Sequence, residues 1–194
     1  MSKVNLIDNK FQVFDDIIPK ENQDEIEAVL LSEGFPWYYQ DCTVCPVMAG
    51  EHQEKVPEWV PDLQLTHRFV YDGIVDSKWT AGLDDVLLKP LFGDAEVQLI
   101  RIKSNFQISN TFEIRENPPH IDSDEYEHNV CLYYVNDSDG DTVLYNEDGT
   151  EMERISPKKG RALFFRGDIY HTSSRPKDFR TRLVINMNLK NSII

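Results

Sequence analysis

The second half of the chain contains six short apolar runs, which are VQLIRIK (residues 97–103), FQISNTFEI (106–114), NVCLYYVN (129–136), TVLYN (142–146), ALFF (162–165) and RLVINMNL (182–189). The runs are rich in β-branched and aromatic residues, as strands are. No helical pattern lies between them, which favours antiparallel pairing over β-α-β units. We therefore expect a mainly β sandwich or barrel, and the jelly roll is the commonest such fold with about eight strands.

Two turns are predicted between these runs. The segment 146–149 reads Asn-Glu-Asp-Gly, and the segment 156–160 reads Ser-Pro-Lys-Lys-Gly. Each ends in a glycine, which adopts a positive φ without steric cost.

The N-terminal part of the chain shows helical periodicity instead. One helix is predicted from Lys20 to Glu33, and a second from Ser77 to Lys89, with Pro90 expected to stop it. The path of residues 34–75 is not predictable from the pattern. We expect residues 1–194 to form a single domain, in which a helical N-terminal region (1–96) supports a β core (97–194).

Composition limits the function of this domain. The 194 residues carry 34 acidic and 20 basic side chains, a net charge of −14, which disfavours general binding to nucleic acids or anionic membranes. No apolar run reaches the roughly 20 residues that a membrane-spanning helix needs. Three cysteines make no disulfide framework, and Cys42 and Cys45 lack partners for a zinc site, so we expect a cytoplasmic protein.

One local pattern is typical of a metal site. In Pro-Pro-His120-Ile-Asp122, the imidazole and the carboxylate are two residues apart and would share one face of an extended segment. His171 follows a predicted strand, 49 residues after Asp122. If the sheets place His171 opposite His120, the three side chains form the facial triad that binds non-haem Fe(II) and leaves coordination positions open.

A buried cation could complete such a site. Arg182 opens the last predicted strand and could point inward to pair with a substrate carboxylate, and Arg180, of the same parity, is the alternative. His128 lies among acidic residues and is expected to be solvated.

The order of these residues resembles the 2-oxoglutarate and Fe(II)-dependent dioxygenases, specifically the prolyl 4-hydroxylase-like branch, over about residues 97–190. The run from Cys131 to Asn136 is similar to the strand that follows the family's H-x-D motif. The turn 140–142 (Gly-Asp-Thr) resembles its G-G-E-T turn, with Asp for the usual Glu and one glycine where the family often has two. The stretch 157–165 resembles the strand that leads to the family's distal histidine.

The resemblance implies a double-stranded β-helix (jelly-roll) catalytic core. It implies that His120, Asp122 and His171 bind Fe(II), and that Arg182 binds the C5 carboxylate of 2-oxoglutarate, which the Tyr134 hydroxyl also reaches. The implied activity is a dioxygenase that uses 2-oxoglutarate and O2 to hydroxylate a peptide or protein residue, with proline favoured by the branch, and releases succinate and CO2.

Two other functions remain open at this point. One is a catalytically silent jelly-roll module that keeps the metal site; the other is a nucleic-acid demethylase of the same superfamily, which would need a basic groove. Charge is also segregated along the chain, because residues 116–153 hold 12 acids and no Lys or Arg, whereas residues 154–194 hold 10 basic residues and two acids. We expect these segments to face each other across the sandwich, and a neutral or basic peptide to be the second substrate.

Overall fold

The computed structural model describes residues 4–6, 9–40, 64–93, 97–109 and 116–190. Its strands form two antiparallel sheets, and the mainly β prediction is confirmed. The strands are β1 (Phe11–Phe14), β2 (Tyr38–Gln40), β3 (Gln64–Tyr71), β4 (Ile74–Val75), β5 (Leu99–Ile108), β6 (His128–Tyr134), β7 (Thr142–Tyr145), β8 (Glu151–Ile155), β9 (Ala162–Arg166), β10 (His171–Ser173) and β11 (Thr181–Lys190). The larger sheet has the order β1-β9-β6-β11-β5-β3-β2, with β4 on β3, and the smaller sheet has the order β10-β7-β8.

The two faces of the larger sheet bury different cores. One face packs on the helices through odd-numbered residues of β11, among them Leu183, Ile185 and Met187. The other face meets the smaller sheet, where Val184 packs with Leu132 and Leu144. Successive residues of a strand alternate between faces, so β11 serves both cores at once.

Both predicted turns are present. Gly149 and Gly160 have φ values of 78° and 80°, and Gly149 N–H donates to Asn146 O (2.8 Å).

The first helix, α1 (Lys20–Leu30), is three residues shorter than predicted. The second helix differs more, because it runs through the proline that was expected to end it. It consists of α2 (Thr80–Leu83), a π-helical segment (Asp84–Leu88) and α3 (Lys89–Phe92), and it ends at Gly93.

Pro90 has no N–H to donate to Val86 O, which would be its α-helical partner. Asn22 of α1 donates its Nδ2 to this carbonyl instead (2.8 Å). The wider π turn and the side chain of a neighbouring helix together accommodate the proline.

The N-terminal region is not only helical. β1 pairs with β9, and β3 pairs with β5 over most of its length, so residues before position 97 extend the larger sheet at both edges. The description of residues 1–96 as a helical support therefore needs correction. Cys42 and Cys45 lie outside the described residues. No helix in the described ranges is long and apolar enough to cross a membrane.

Candidate metal centre

His120, Asp122 and His171 lie together at the edge of the smaller sheet. The segment before β6 runs antiparallel to β10, and His120 and His171 exchange two backbone hydrogen bonds of 2.9 Å each. One ligand atom from each of the three side chains lies within 4.8 Å of the other two. Residues 49 positions apart in sequence thus present two nitrogens and one oxygen to a common point.

Backbone carbonyls orient both imidazoles. His120 Nδ1 lies 3.3 Å from Pro118 O, and His171 Nδ1 lies 3.2 Å from Ile169 O. A carbonyl oxygen only accepts, so we assign the ring proton to Nδ1, which leaves the Nε2 lone pair available to a metal. Burial, and next the nearby ring of His171, lower the pKa of His120 to about 3. Burial also lowers the pKa of His171. Both rings are therefore neutral at pH 7.

Three donors hold the carboxylate of Asp122. Arg101 Nη2 donates to Oδ1 (2.7 Å), and the side-chain amides of Asn186 and Asn188 donate to Oδ2 (3.0 and 2.9 Å). Burial would raise the pKa of Asp122, but the charge of Arg101 and the hydrogen bond from Asn188 lower it well below its usual value. The carboxylate is therefore ionised and fixed in orientation.

This donor set fits Fe(II). Two neutral imidazole nitrogens and one carboxylate oxygen, each oriented by an outer hydrogen bond, are the ligands of a facial triad with open positions.

Arg182 lies buried between the two sheets, with 3% of its surface exposed. Its Nε donates to Gly140 O (2.6 Å) and its Nη2 to Thr142 Oγ1 (2.8 Å), while Nη1 lies 3.4 Å from Gln107 Oε1. A Cβ on Gly140 would lie 2.8 Å from Arg182 Cδ and 2.6 Å from Ser174 O, so this position requires glycine. The strand and the turn at residue 140 together fix the guanidinium.

Tyr134 lies beside Arg182 and is fully buried. Its hydroxyl donates to Thr142 Oγ1 (2.8 Å), and the guanidinium carbon of Arg182 lies 5.9 Å from the ring centroid. Burial raises the pKa of Tyr134 to about 12 against the effect of Arg182, so the phenol keeps its proton. The binding role of Tyr134 stays a prediction.

The alternative cation, Arg180, is exposed and lies outside β11. The interpretation of His128 as solvated is wrong. It begins β6 with 5% of its surface exposed, and its ring packs so closely on Gly167 that a Cβ there would lie 2.6 Å away. The acidic residues around His128 gave no indication of this contact, which comes from a turn almost 40 residues later.

Several residues of the site carried no recognised signal in the sequence. Arg101, Gln107, Asn186 and Asn188 all lie on the face of β5 and β11 that carries Arg182. Alternate polar residues in the otherwise apolar β11 were a usable signal, since Asn186 and Asn188 share the parity of Arg182. Nothing local to Arg101 or Gln107 distinguishes them from solvated strand residues.

The acidic and basic segments lie against each other as expected, since β6 pairs with β9 and β11 and β7 pairs with β10, but several basic side chains form their ion pairs elsewhere. Lys158, Lys159 and Arg161 pair with acids of the N-terminal region, which are Asp15, Asp24 and Glu27. Arg154 does reach the acidic stretch, at Glu116 and Glu151 (2.7 Å each). β1 and α1 lie next to the turn before β9. Acidic side chains of this N-terminal region therefore pair with basic residues that the charge pattern along the chain had assigned to residues 116–153.

Sequence comparison identifies the class of this centre. Residues 106–190, which include the triad and Arg182, match the profile of the 2OG-Fe(II) oxygenase superfamily. Residues 106–190 are a 2OG-Fe(II) oxygenase domain. The predicted superfamily is confirmed for this segment, and with it an oxidoreductase that uses Fe(II), 2-oxoglutarate and O2, whereas the prolyl 4-hydroxylase-like branch stays a prediction.

Solved structures share the fold of this oxygenase. A 2OG-Fe(II) oxygenase family oxidoreductase from Burkholderia pseudomallei has a TM-score of 0.70 at 10% identity, over 97% of this chain and 88% of its own. A Pseudomonas putida prolyl-4-hydroxylase has a TM-score of 0.59 at 14% identity, over 96% of this chain and 95% of its own. A Trichoplax adhaerens prolyl hydroxylase, solved with a hypoxia inducible factor peptide fragment, has a TM-score of 0.60 at 14% identity, over 96% of this chain and 86% of its own. No curated protein sequence matches the chain.

Proposed function

We propose that this oxygenase hydroxylates a residue of a peptide or protein, with proline the favoured residue, in a cytoplasmic setting. The observation that carries the proposal is an oriented triad of two neutral imidazoles and one ionised carboxylate, together with an arginine buried between the two sheets. Two prolyl hydroxylases share the fold over more than nine-tenths of this chain, one of them solved with a peptide, which supports the peptide class. We infer that the two sheets form the double-stranded β-helix of a single catalytic domain.

In this proposal, His120, Asp122 and His171 hold Fe(II). The bound iron supplies the oxidising chemistry, with O2 and the 2-oxo acid as co-substrates that yield succinate and CO2. The backbone contacts of the two imidazoles keep Nε2 directed at the metal. Arg101, Asn186 and Asn188 keep the Asp122 carboxylate ionised and correctly turned.

Arg182 binds the C5 carboxylate of 2-oxoglutarate. Three groups that it contacts are neutral, namely the Gly140 carbonyl, the Gln107 amide and the Thr142 hydroxyl. They fix the orientation of the guanidinium, whose planar donor fork matches the geometry of a carboxylate. The Tyr134 hydroxyl, which shares Thr142 with Arg182, is the second donor to that carboxylate.

The same arrangement argues against a silent metal module. A module that binds only a metal has no use for a buried arginine aimed into the interior, and burying that charge costs stability.

The test combines two products in one reaction. With Fe(II), 2-oxoglutarate, O2 and a proline-containing peptide, we expect succinate and a peptide that gains one oxygen atom, and no gain when alanine replaces the proline. His120→Ala should abolish both products. Lys20→Gln is the control, because Lys20 is exposed at the start of α1 and lines neither the metal centre nor a pocket, so this variant should keep both products.

Two outcomes would contradict the proposal. Succinate formation without oxygen transfer to any peptide would exclude peptide hydroxylation. Demethylation of a methylated oligonucleotide in preference to peptide hydroxylation would establish the demethylase function instead.

A further inference from the structure

A groove of about 660 Å³ lies on the larger sheet next to the metal centre. β3, β5 and the segment after β4 form its walls. The side chains that matter here are Tyr38, Arg68, Tyr71, Lys78, Arg101 and Lys103.

The groove and the metal centre share a wall. Arg101 lines the groove and also donates to Asp122 Oδ1 (2.7 Å). On the neighbouring strand, Asn188 lies opposite Arg101 and Asn186 opposite Lys103, and both asparagines hold Asp122. A chain bound in the groove would therefore pass beside the triad.

The lining of this groove is basic. Arg68, Lys78, Arg101 and Lys103 contribute four cations, and Asp76 is the one carboxylate among its lining residues. Asp76 pairs with Arg68 (2.5 Å), whereas Lys78 is exposed and makes no ion pair within the described ranges. The whole chain has a net charge of −14, so the positive groove lies within a negative surface. A local positive field of this kind attracts a small anionic group.

Aromatic and aliphatic side chains border the cations. The guanidinium carbon of Arg68 lies 4.5 Å from the ring centroid of Tyr71, a cation–π contact. Tyr38 and Tyr71 are 62% and 54% exposed, and Ile74 and Val75, on the next strand, are 70% and 65% exposed. An exposed apolar border beside a polar groove is typical of a surface that binds a macromolecule.

We propose that this groove selects peptide substrates that carry acidic side chains next to the hydroxylated residue, with Arg68, Lys78 and Lys103 as the specificity-determining residues. The inference rests on the proposed function and replaces the neutral or basic peptide that net charge alone suggested. A nucleic acid fits less well, since tight backbone binding uses about 6–10 phosphate contacts. The groove has four cations among its lining residues, and the strongly acidic remainder of the chain repels a long polyanion.

The test measures binding by fluorescence anisotropy on the full chain. The probes are a labelled peptide with glutamates on both sides of one proline, the same peptide with glutamines, and a labelled single-stranded oligonucleotide. We expect the glutamate peptide to bind at least about tenfold more tightly than the glutamine peptide, with a preference that falls as salt rises. Lys78→Glu and Arg68→Gln should reduce this preference severalfold, whereas Lys177→Glu, an exposed charge reversal outside the groove, should preserve it.

Equal binding of the two peptides, equal effects of Lys78→Glu and Lys177→Glu, or tighter binding of the oligonucleotide would each overturn the inference. Oxygen transfer to a proline-containing peptide, measured on the same preparations, separates this inference from the proposed function. Oxygen transfer without a glutamate preference refutes the groove proposal alone, and a glutamate preference without oxygen transfer refutes the proposed function alone.

Discussion

At the scale of single residues, Arg182 depends on contacts that neighbours in sequence do not supply. Gly140 leaves room for its side chain, and Thr142 and Gln107 receive its donors. These partners come from β5, β7 and the turn before β7, so the position of the guanidinium follows from the packing of the two sheets.

Replacement of this arginine should affect the co-substrate and not the metal. Arg182→Gln removes the charge that would pair with the C5 carboxylate, so we expect the KM for 2-oxoglutarate to rise at least about tenfold while Fe(II) affinity stays within twofold. Arg180→Gln is the matched control, because Arg180 is exposed two residues earlier in the chain, and it should leave both values unchanged. Equal effects of the two variants, measured by succinate formation and metal titration, would contradict the assignment.

The sequence predicts which side chains lie close together where their spacing along a strand determines their direction. His120 and Asp122 are two positions apart on an extended segment, and Arg182 opens a recognisable strand. Arg101 was not predictable, because its role depends on β5 pairing with β11 so that it reaches Asp122. His128 was wrongly interpreted for a similar reason, since its burial depends on Gly167.

At the scale of secondary-structure elements, the helix around Pro90 shows how a local rule can be overridden. Proline normally ends a helix because it lacks an N–H and its ring crowds the preceding turn. Here the π-helical segment widens that turn, and Asn22 donates to the Val86 carbonyl. The sequence contains both residues, but 64 positions separate Asn22 from Val86 and no pattern links them.

The contact between Asn22 and Val86 should be measurable as stability. Asn22→Ala leaves the carbonyl without this donor and should lower the free energy of unfolding by about 1 kcal/mol. Pro90→Ala restores an N–H to the helix. The double variant should therefore lose less free energy of unfolding, relative to the wild type, than Asn22→Ala alone. Additive effects in denaturant unfolding would show that Asn22 does not compensate for the proline.

The strands of the N-terminal region escaped prediction for a different reason. β3 buries Thr66 and His67 next to each other, and a bulge between Arg68 and Val70 interrupts its alternation. Period-two patterning, the usual sign of a strand, is therefore broken in it. β1 is only four residues long and is defined by its pairing with β9.

At the scale of the whole molecule, ion pairs join the N-terminal region to the β core. Asp15 follows β1, and its carboxylate accepts hydrogen bonds from Arg161 Nε (2.6 Å) and Lys158 Nζ (3.0 Å) in the turn before β9. Arg161, opposed by burial and helped by Lys158, lowers the pKa of Asp15 to about 2. The net charge of −14 thus conceals local pairing between distant segments.

This pairing makes stability depend on pH in a defined direction. The folded pKa of Asp15 lies below the ordinary value of about 3.9, so its contribution is present above pH 4 and is lost as the pH falls toward 2. Because the pair is partly exposed, we expect Asp15→Asn to cost only about 0.5 kcal/mol at pH 6 and almost nothing near pH 2. Urea unfolding at both pH values checks this, with the exposed Asp72→Asn as control; a larger cost at the lower pH would contradict it.

The central claim is that His120, Asp122 and His171 bind Fe(II) together with 2-oxoglutarate. The most direct measurement is the absorption spectrum of the full chain with Fe(II), recorded without oxygen before and after 2-oxoglutarate is added. We predict a metal-to-ligand charge-transfer band that appears only with both additions and is absent in Asp122→Ala. No band in the wild type, or an undiminished band in Asp122→Ala, would contradict the claim.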